Sequence, residues 1–467
     1  MLPLLLVSMD VSVLYFAIPS IAADLRPGAT QQLWILDMYG FVLAGLLVTM
    51  GALGDRVGRR KLLLFGAALF GAASVAAAYA HSAGALIGAR ALLGVAGACL
   101  MPSTLALIRT LFQDPAQRAK AVTLWTTVMA SGISLGPVVS GALLEHFWWG
   151  SVFLINLPAM VLLSALAPVL LAESKGDAGG ARFDVLSAGL SLGALLPVIY
   201  GIKELAKGGW EPVPGAGIAL GVLLGAVFVR RQARLDHPVV DLRLFRTPAY
   251  GGSLLVNLLA MAATVGFAVF LTQYLQSVLG QSPLEAALWS LVPAGGVMVA
   301  APLAAALAQR VDRAYVMGGG FLVSAGGFGW LVTVDRATPF WVVLVGSAVY
   351  AAGLVSAMTL ANELALGAAP PERAGAAAAV LESGSELGGA LGMAVLGSVG
   401  AAVYTAAMPS SAPAAARETL GGALGGAPGV VEAARSAFVE AMSGAALGAC
   451  VLMLLAAGVA LLLRRRT

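Results

Sequence analysis

The chain has 467 residues, of which 60% are hydrophobic and only 11% are charged, whereas about 25% of the residues of soluble proteins are charged. So few charges cannot cover the surfaces of soluble domains, and the composition excludes a water-soluble multidomain enzyme. The two cysteines, Cys99 and Cys450, lie far apart in sequence and do not suggest a disulfide scaffold. The 27 basic and 23 acidic residues give a net charge of +4, which indicates no nucleic-acid partner.

Long apolar runs, separated by short polar loops, follow one another along the chain and predict membrane-spanning helices. The runs are continuous rather than alternating, which favours helices over barrel strands, and lipid requires a backbone whose hydrogen bonds are satisfied internally. We predict an all-α integral membrane protein with 14 transmembrane helices, at about 2–22, 33–53, 61–80, 84–108, 120–144, 151–171, 184–204, 215–230, 249–273, 284–308, 315–334, 340–366, 375–404 and 440–463.

The basic residues predict the orientation of these helices. With both termini in the cytoplasm, 20 of the 27 lie in cytoplasmic loops and Arg90 lies inside the membrane. The first run lacks a basic leading region and is interrupted by Asp10, so we interpret it as a spanning helix rather than a signal peptide. The six basic residues predicted to lie outside are Arg26, Lys203, Lys207, Arg336, Arg417 and Arg435.

Two polar breaks divide the chain into six, two and six helices. A duplicated six-helix unit with a site at the midplane is a common transporter architecture. A segment rich in Ala, Gly, Pro and Ser at about 406–438 is expected to be a flexible outer loop. The predicted units are an N-terminal bundle at 1–172, a cytoplasmic link at 173–183, two inserted helices at 184–230, a basic cytoplasmic loop at 231–248 and a C-terminal bundle at 249–467.

The loop after the second run reads GALGDRVGRRK. Its glycines permit a tight turn, and its aspartate is placed to face a helix N-terminus or to pair with a nearby arginine. A basic loop that only sets topology is the simpler alternative. The spacing resembles the signature loop of the major facilitator superfamily, where it works as a latch between the two halves; the matching residues are Gly51, Asp55, Arg56, Gly58, Arg59 and Arg60.

The fifth run carries a second motif, formed by Gly132, Gly136, Pro137 and Gly141. It resembles the glycine–proline motif of the antiporter branches of that superfamily. Small residues at this spacing let helix backbones approach closely, and the proline bends the helix. For each glycine taken alone, packing is the simpler interpretation.

Three further segments narrow the resemblance: SMDVSVLYFAIPSIAADL near the start, TQQLWILDMYGFVLAGLL from Thr30 and VLESGSELGGALGMAVLGS from Val380. Together they resemble the fourteen-helix drug:proton antiporters, and most of all the QacA-type quaternary ammonium compound efflux pumps. The resemblance covers essentially the whole chain. It implies the major facilitator fold, with two six-helix bundles plus two inserted helices.

The same resemblance implies a function. We expect a monomeric secondary transporter of the bacterial cytoplasmic (inner) membrane that exports lipophilic cations, such as quaternary ammonium compounds and dyes, by alternating access. It would need no cofactor, because inward proton flow drives it. A dedicated exporter of an endogenous antibiotic or metabolite is the alternative. A membrane-embedded sensor or enzyme is more remote, since the sequence holds no Ser/His/Asp, HExxH or CxxC arrangement and no nucleotide-binding domain.

Four acids and one arginine lie inside predicted spans: Asp10, Asp37, Glu382, Glu386 and Arg90. Each such group costs roughly 2.5–3.5 kcal/mol on insertion scales, so it usually faces a cavity or a partner. The two glutamates are four residues apart and therefore share one helix face. A carboxylate pair on such a face can exchange a proton for a cation, which is what antiport requires.

These residues receive separate hypotheses. Asp10 is a candidate cation or proton site, with a hydrogen-bonded structural acid as the alternative. Glu382 is the first choice for proton coupling, while Glu386 is either a second proton site or polar glue between helices. Asp37 and Arg90 are expected to form an ion pair, which is either static or a proton relay.

The chain departs from the family pattern at two acids. The position of an extra acid carried by some members is Val297 here, and the first of the paired acids near 381 is Leu381. Fewer acids predict monovalent rather than divalent cations. For most of nine aromatic residues, packing or contact with lipid is the default interpretation. They are also candidates to wall an apolar cavity and offer cation–π faces: Tyr15, Phe16, Trp34, Tyr39, Trp125, Phe267, Phe270, Tyr274 and Trp289.

Overall fold

A computed structural model describes residues 2–112, 114–173, 184–208, 212–235, 238, 240, 242–368 and 374–463. Within these ranges the chain is α-helical and forms no strand. The helices are α1 (Leu2–Leu25), α2 (Ala29–Val57), α3 (Arg59–Ala78), α4 (Ala83–Leu111), α5 (Pro115–His146), α6 (Ser151–Leu154), α7 (Asn156–Leu170), α8 (Val185–Gly208), α9 (Pro212–Gln232), α10 (Pro248–Gln273), α11 (Pro283–Trp289), α12 (Val292–Leu307), α13 (Arg313–Val332), α14 (Phe340–Ala368), α15 (Ala374–Ala407), α16 (Ala414–Glu418), α17 (Leu420–Ala423) and α18 (Pro428–Leu463).

Every predicted span lies on a helix, with α6–α7 and α11–α12 each forming one broken helix. Among the described residues, ten helices are long and apolar enough to cross a membrane, and twelve are if the bent helices α1 and α2 each count as one span. The bends are 45° in α1 and 55° in α2. The all-α membrane fold is therefore confirmed, while membrane crossing by α5 and α11–α12 stays a prediction.

Polar residues in the loops start several helices. The hydroxyl of Ser82 accepts a hydrogen bond from the backbone of Ala85 at the start of α4. Asp114 and Asp312 cap α5 and α13 in the same way. Ser282 forms a reciprocal capping box at the start of α11. These caps satisfy backbone N–H groups that have no partner within the helix, so the short polar loops set the helix boundaries.

The expected flexible loop at 406–438 is wrong for most of its length. Helix α15 continues to Ala407, α16 and α17 follow, and α18 begins at Pro428. The Tyr404 hydroxyl donates to the carbonyl of Ala416 at 2.8 Å, and Leu420 is buried. Because alanine has the highest helix propensity, the alanines of this segment support helices between the glycines and prolines that suggested a loop.

The helices pack as two groups with a hairpin beside them. Helix α2 packs on α4 and α1 on α5 in the first group, while α10 packs on α15 and α13 on α14 and α18 in the second. The groups meet where α2 contacts α15 and α5 contacts α11. Helix α8 of the α8–α9 hairpin contacts both α2 and α15. The division into units of six, two and six helices stays a prediction. Residues 174–183 of the predicted link, and 236, 237, 239 and 241 of the basic loop, lie outside the described residues.

Candidate functional site

A cavity of about 190 Å³ lies between the two helix groups. Helices α1, α2, α4 and α5 line it on one side, and α10 and α15 on the other. Methionine is flexible and polarisable, and it suits binding surfaces that accept many ligands. Four methionines contribute to the wall: Met101, Met129, Met261 and Met393. The charged residues in the wall are Asp37, Arg90 and Glu386.

Arg90 is held tightly between α1 and α2. Its side chain is 1% exposed and forms an ion pair with Asp10. The guanidinium also donates to the carbonyl groups of Ile35 at 3.2 Å and Leu36 at 3.3 Å, and it lies 4.8 Å from the ring centroid of Tyr39. These contacts satisfy most of the donors of the arginine fork. Asp10 is therefore a paired, buried acid in this structure.

Asp37 pairs with Lys203 rather than with Arg90. The lysine Nζ lies 2.9 Å and 2.8 Å from the two carboxylate oxygens, and both side chains are fully buried. The same ammonium lies 3.8 Å from the ring centroid of Trp34. The expected ion pair of Asp37 with Arg90 is therefore wrong, because each member has another partner.

Lys203 itself was expected outside the membrane, and its burial corrects that expectation. It stands at the end of the apolar run 184–204, where a long lysine side chain would ordinarily extend to the interface. Helix α8 continues to Gly208 instead, and the side chain turns inward to Asp37. The one feature of the sequence that indicates this burial is a basic residue within an apolar run.

The two glutamates of α15 occupy different positions. Glu386 lies in the cavity wall, whereas Glu382, one turn earlier, does not. Both are partly exposed, and no hydrogen bond or ion pair joins either carboxylate to another residue in the described ranges.

Ser385, beside these glutamates, belongs to a polar chain that the sequence analysis missed. It donates to Asn257 at 2.8 Å, and Asn257 donates to Asn362 at 3.0 Å. These hydrogen bonds join α15 to α10 and α14. Amides within apolar runs were its only sequence signal.

The latch motif binds α2 to neighbouring helices of its own group. Asp55 pairs with Arg59 at 2.6 Å, and Arg59 donates to the carbonyl of Ala106 in α4 at 2.9 Å. Gly51 packs near Pro102 of α4, and the side chain of Arg56 is exposed.

The turn between α2 and α3 needs a glycine. Gly58 has φ of +117°, which residues with a side chain rarely adopt. The carboxylate of Glu173 occupies the adjacent space and accepts from the backbone of Arg60 at 3.1 Å. The Arg60 side chain donates to the carbonyl of Leu171 at 2.9 Å. These contacts tie the motif to the end of α7, and a role as a latch between the halves stays a prediction.

The motif of α5 places backbones in close contact. A Cβ at Gly132 would lie 2.6 Å from the carbonyl oxygen of Leu5 in α1, and one at Gly136 would lie 3.1 Å from that of Met9. Gly141 meets α11, where a Cβ would lie 2.8 Å from the Cα of Leu284. Pro137 lies inside α5. The glycines therefore pack α5 against both α1 and the opposite group.

Of the nine aromatic candidates, only Tyr15 and Tyr39 line this cavity. Phe270 lines a separate pocket of about 70 Å³, and Trp125 donates to Thr104 at 3.1 Å. The other seven do not line it, and five of them are buried in the helix packing, as the default interpretation expects. Neither Val297 nor Leu381 lies in the cavity wall.

Comparison with known proteins agrees with this architecture. The family profile of the Major Facilitator Superfamily matches residues 2–393. The multidrug efflux pump LfrA of Mycolicibacterium smegmatis is 43% identical over 387 residues, which cover 83% of this chain and 77% of that protein. The methyl viologen resistance protein SmvA of Salmonella typhimurium is 36% identical over 392 residues, which cover 82% of this chain and 77% of that protein.

A solved structure extends the match to the fold. A bacterial homologue of the human lysosomal transporter Spinster, in an inward-facing and unoccupied conformation, superposes with a TM-score of 0.68 at 16% identity, over 100% of this chain and 95% of that one. The likeness supports the fold alone. Taken together with the family profile and the relatives, it establishes that this chain belongs to the Major Facilitator Superfamily and is a transporter rather than an enzyme.

Proposed function

We propose that this protein is a proton-coupled antiporter that exports lipophilic, mainly monovalent cations from the cytoplasm by alternating access. Quaternary ammonium compounds and cationic dyes are the proposed substrates. The observation that carries the proposal is Glu386, an acid in the cavity wall whose carboxylate has no partner among the described residues.

Charge and shape both support a cation site. Asp10 and Asp37 are each neutralised by a buried base, which leaves Glu386 as the acid available in the described wall. The rest of the wall is largely apolar and contains the four methionines. Such a surface suits bulky apolar ligands of varied shape, and a single carboxylate selects those that carry positive charge.

Coupling then follows from competition for one carboxylate. Ionised Glu386 binds the cation from the cytoplasm, and a proton displaces the cation at the outer face. Exchange of one monovalent cation for one proton moves no net charge. A second proton, for which Glu382 is the proposed carrier, would let the membrane potential contribute about 2.3 kcal/mol per 100 mV.

Several contacts support an inward-facing state with this orientation. Gln276 donates to the carbonyl of Phe16 at 3.3 Å, and Gly141 packs on Leu284. The first contact lies in the second half of α1 and the second lies near the end of α5. Both join the two helix groups in parts that are predicted to lie toward the outer face. In the latch motif, the contacts described for Asp55 and Arg60 lie within the motif's own helix group.

The names of the relatives denote a multidrug efflux pump and a methyl viologen resistance protein. Methyl viologen is an organic cation with two charges, so these names support cation export, while the preference for a single charge rests on the acids of this chain. A dedicated exporter of one endogenous metabolite remains the second candidate. A panel of structurally unrelated cations separates the two, because a multidrug pump accepts several of them with comparable affinity.

Proton release gives a direct test. Purified protein is reconstituted into vesicles with an acidic lumen, and ethidium is added outside. We expect ethidium to accelerate the loss of the pH gradient in proportion to its uptake, and empty vesicles to show neither effect. Uptake of ethidium without proton movement would contradict proton coupling. Absence of uptake by correctly folded protein would contradict cation export.

A further inference from the structure

The inserted hairpin supplies a charge to the transport cavity. Lys203 belongs to α8, and its ammonium reaches Asp37, a residue of the cavity wall. Helix α8 is also the element that packs on both α2 and α15. The hairpin therefore contributes a charged side chain beside the cavity, in addition to enlarging the membrane-embedded surface.

The ammonium of Lys203 sits as a bound organic cation would. It lies 2.8 Å from the carboxylate of Asp37 and 3.8 Å from the ring centroid of Trp34. A carboxylate together with an aromatic face is the arrangement that recognises ammonium ligands. Lysine thus occupies an acid of the wall that would otherwise be open to a cationic ligand.

A charge count states the consequence. Asp10 and Arg90 cancel, Asp37 and Lys203 cancel, and Glu386 in its ionised form gives the described cavity a net charge of minus one. Without the lysine, the carboxylate of Asp37 would make the net charge of the cavity minus two. A ligand with two positive charges would then find two acids rather than one.

We propose that Lys203 is a specificity-determining residue that restricts the cavity to singly charged cations by neutralising Asp37. The inference rests on the proposed function. It adds to that function the residue responsible for charge selectivity and a role for the inserted hairpin. A purely structural role, in which the ion pair only fastens α8 to α2, predicts no dependence of selectivity on ligand charge.

Ethidium and propidium make a matched pair of probes, because they share a phenanthridinium ring and carry one and two positive charges. Their dissociation constants are measured by fluorescence anisotropy on the purified full chain. The variants are Lys203→Met, which keeps the apolar stem, and Asp37→Asn/Lys203→Met, which removes both charges. In Lys203→Met we expect propidium to gain about tenfold in affinity relative to ethidium, or about 1.4 kcal/mol. The double variant should return the ratio to the native value.

Three outcomes would overturn the inference, and one of them would overturn the proposed function as well. An unchanged ratio in Lys203→Met that still binds ethidium overturns the inference and leaves the proposed function intact. A raised ratio that persists in the double variant also overturns it, because the gained charge is then not Asp37. Native protein that binds neither dye overturns the proposed function and the inference together.

A second variant tests the inference if Lys203→Met does not fold. Asp37→Asn retains the lysine and brings the count of charges to zero. We expect it to weaken ethidium binding about tenfold and propidium binding more. Equal affinity of native protein and Asp37→Asn for both dyes overturns the inference.

Discussion

The acids of the two helix groups have opposite environments. In the first group, Asp10 and Asp37 are fully buried and each is paired with a base. In the second, Glu382 and Glu386 are partly exposed on one helix, with no partner in the described part of the chain. An acid inside an apolar span therefore has two uses. A paired acid organises helices, while an unpaired acid beside a cavity is available to a ligand or a proton.

The largest effect should come from breaking a pair in the first group. Arg90→Met leaves Asp10 buried without its partner, and loss of one member of a buried pair costs about 3–5 kcal/mol. We expect a large fall in thermal stability, measured by temperature-dependent loss of monodisperse protein. Asp10→Asn/Arg90→Met should recover much of the loss. Equal stability of Arg90→Met and native protein would contradict a structural role for the pair.

A smaller effect should follow from disturbing the packing that positions Asp10. Gly136→Val places side-chain atoms against the backbone of α1 at Met9, and overpacking of this kind costs about 1–3 kcal/mol. Gly84→Ala is the matched control, because nothing lies within 4 Å of a Cβ there. The measurement is the melting temperature of each variant relative to native protein. An equal loss of stability in both variants would contradict the packing account.

The smallest effect concerns an ion pair outside the membrane. Asp184 pairs with Arg231 at 2.9 Å where the inserted hairpin begins and ends. Burial alone raises the pKa of Asp184, but hydrogen bonds from Ser187 and Arg231 outweigh it and hold the pKa below its usual value. Because the pKa is lowered on folding, the stabilisation is present above about pH 4 and is lost as the pH falls through the folded-state pKa.

Asp184→Asn should therefore cost less than about 1 kcal/mol near neutral pH, and the difference from native protein should shrink in acid. The measurement is thermal stability as a function of pH for both proteins. A difference that grows as the pH falls would contradict the sign of this assignment.

The fold was predictable because apolar runs of about twenty residues leave few choices in lipid. The individual acids were predictable as well, since ionisable residues are rare in such runs. Their partners were not. Lys203 lies 166 positions from Asp37 in sequence, and the spacing within each run contains no information on which helices become neighbours.

The helices near 406–438 were not predictable for a different reason. Its glycines and prolines predict a loop, yet the two short helices are held by contacts such as that of Tyr404 with Ala416. Which aromatic residues line the cavity was not predictable, because a ring in an apolar run packs equally well against a neighbouring helix. Tertiary contacts decided both cases.

The central claim is that Glu386 is the acid at which cation and proton compete. The most direct test measures ethidium binding between pH 5 and 9 for native protein, Glu386→Gln and the matched variant Glu382→Gln. We predict that binding by native protein weakens as the pH falls, that Glu382→Gln retains this dependence, and that Glu386→Gln loses both most of its affinity and the pH dependence. Native-like, pH-dependent binding by Glu386→Gln would contradict the account.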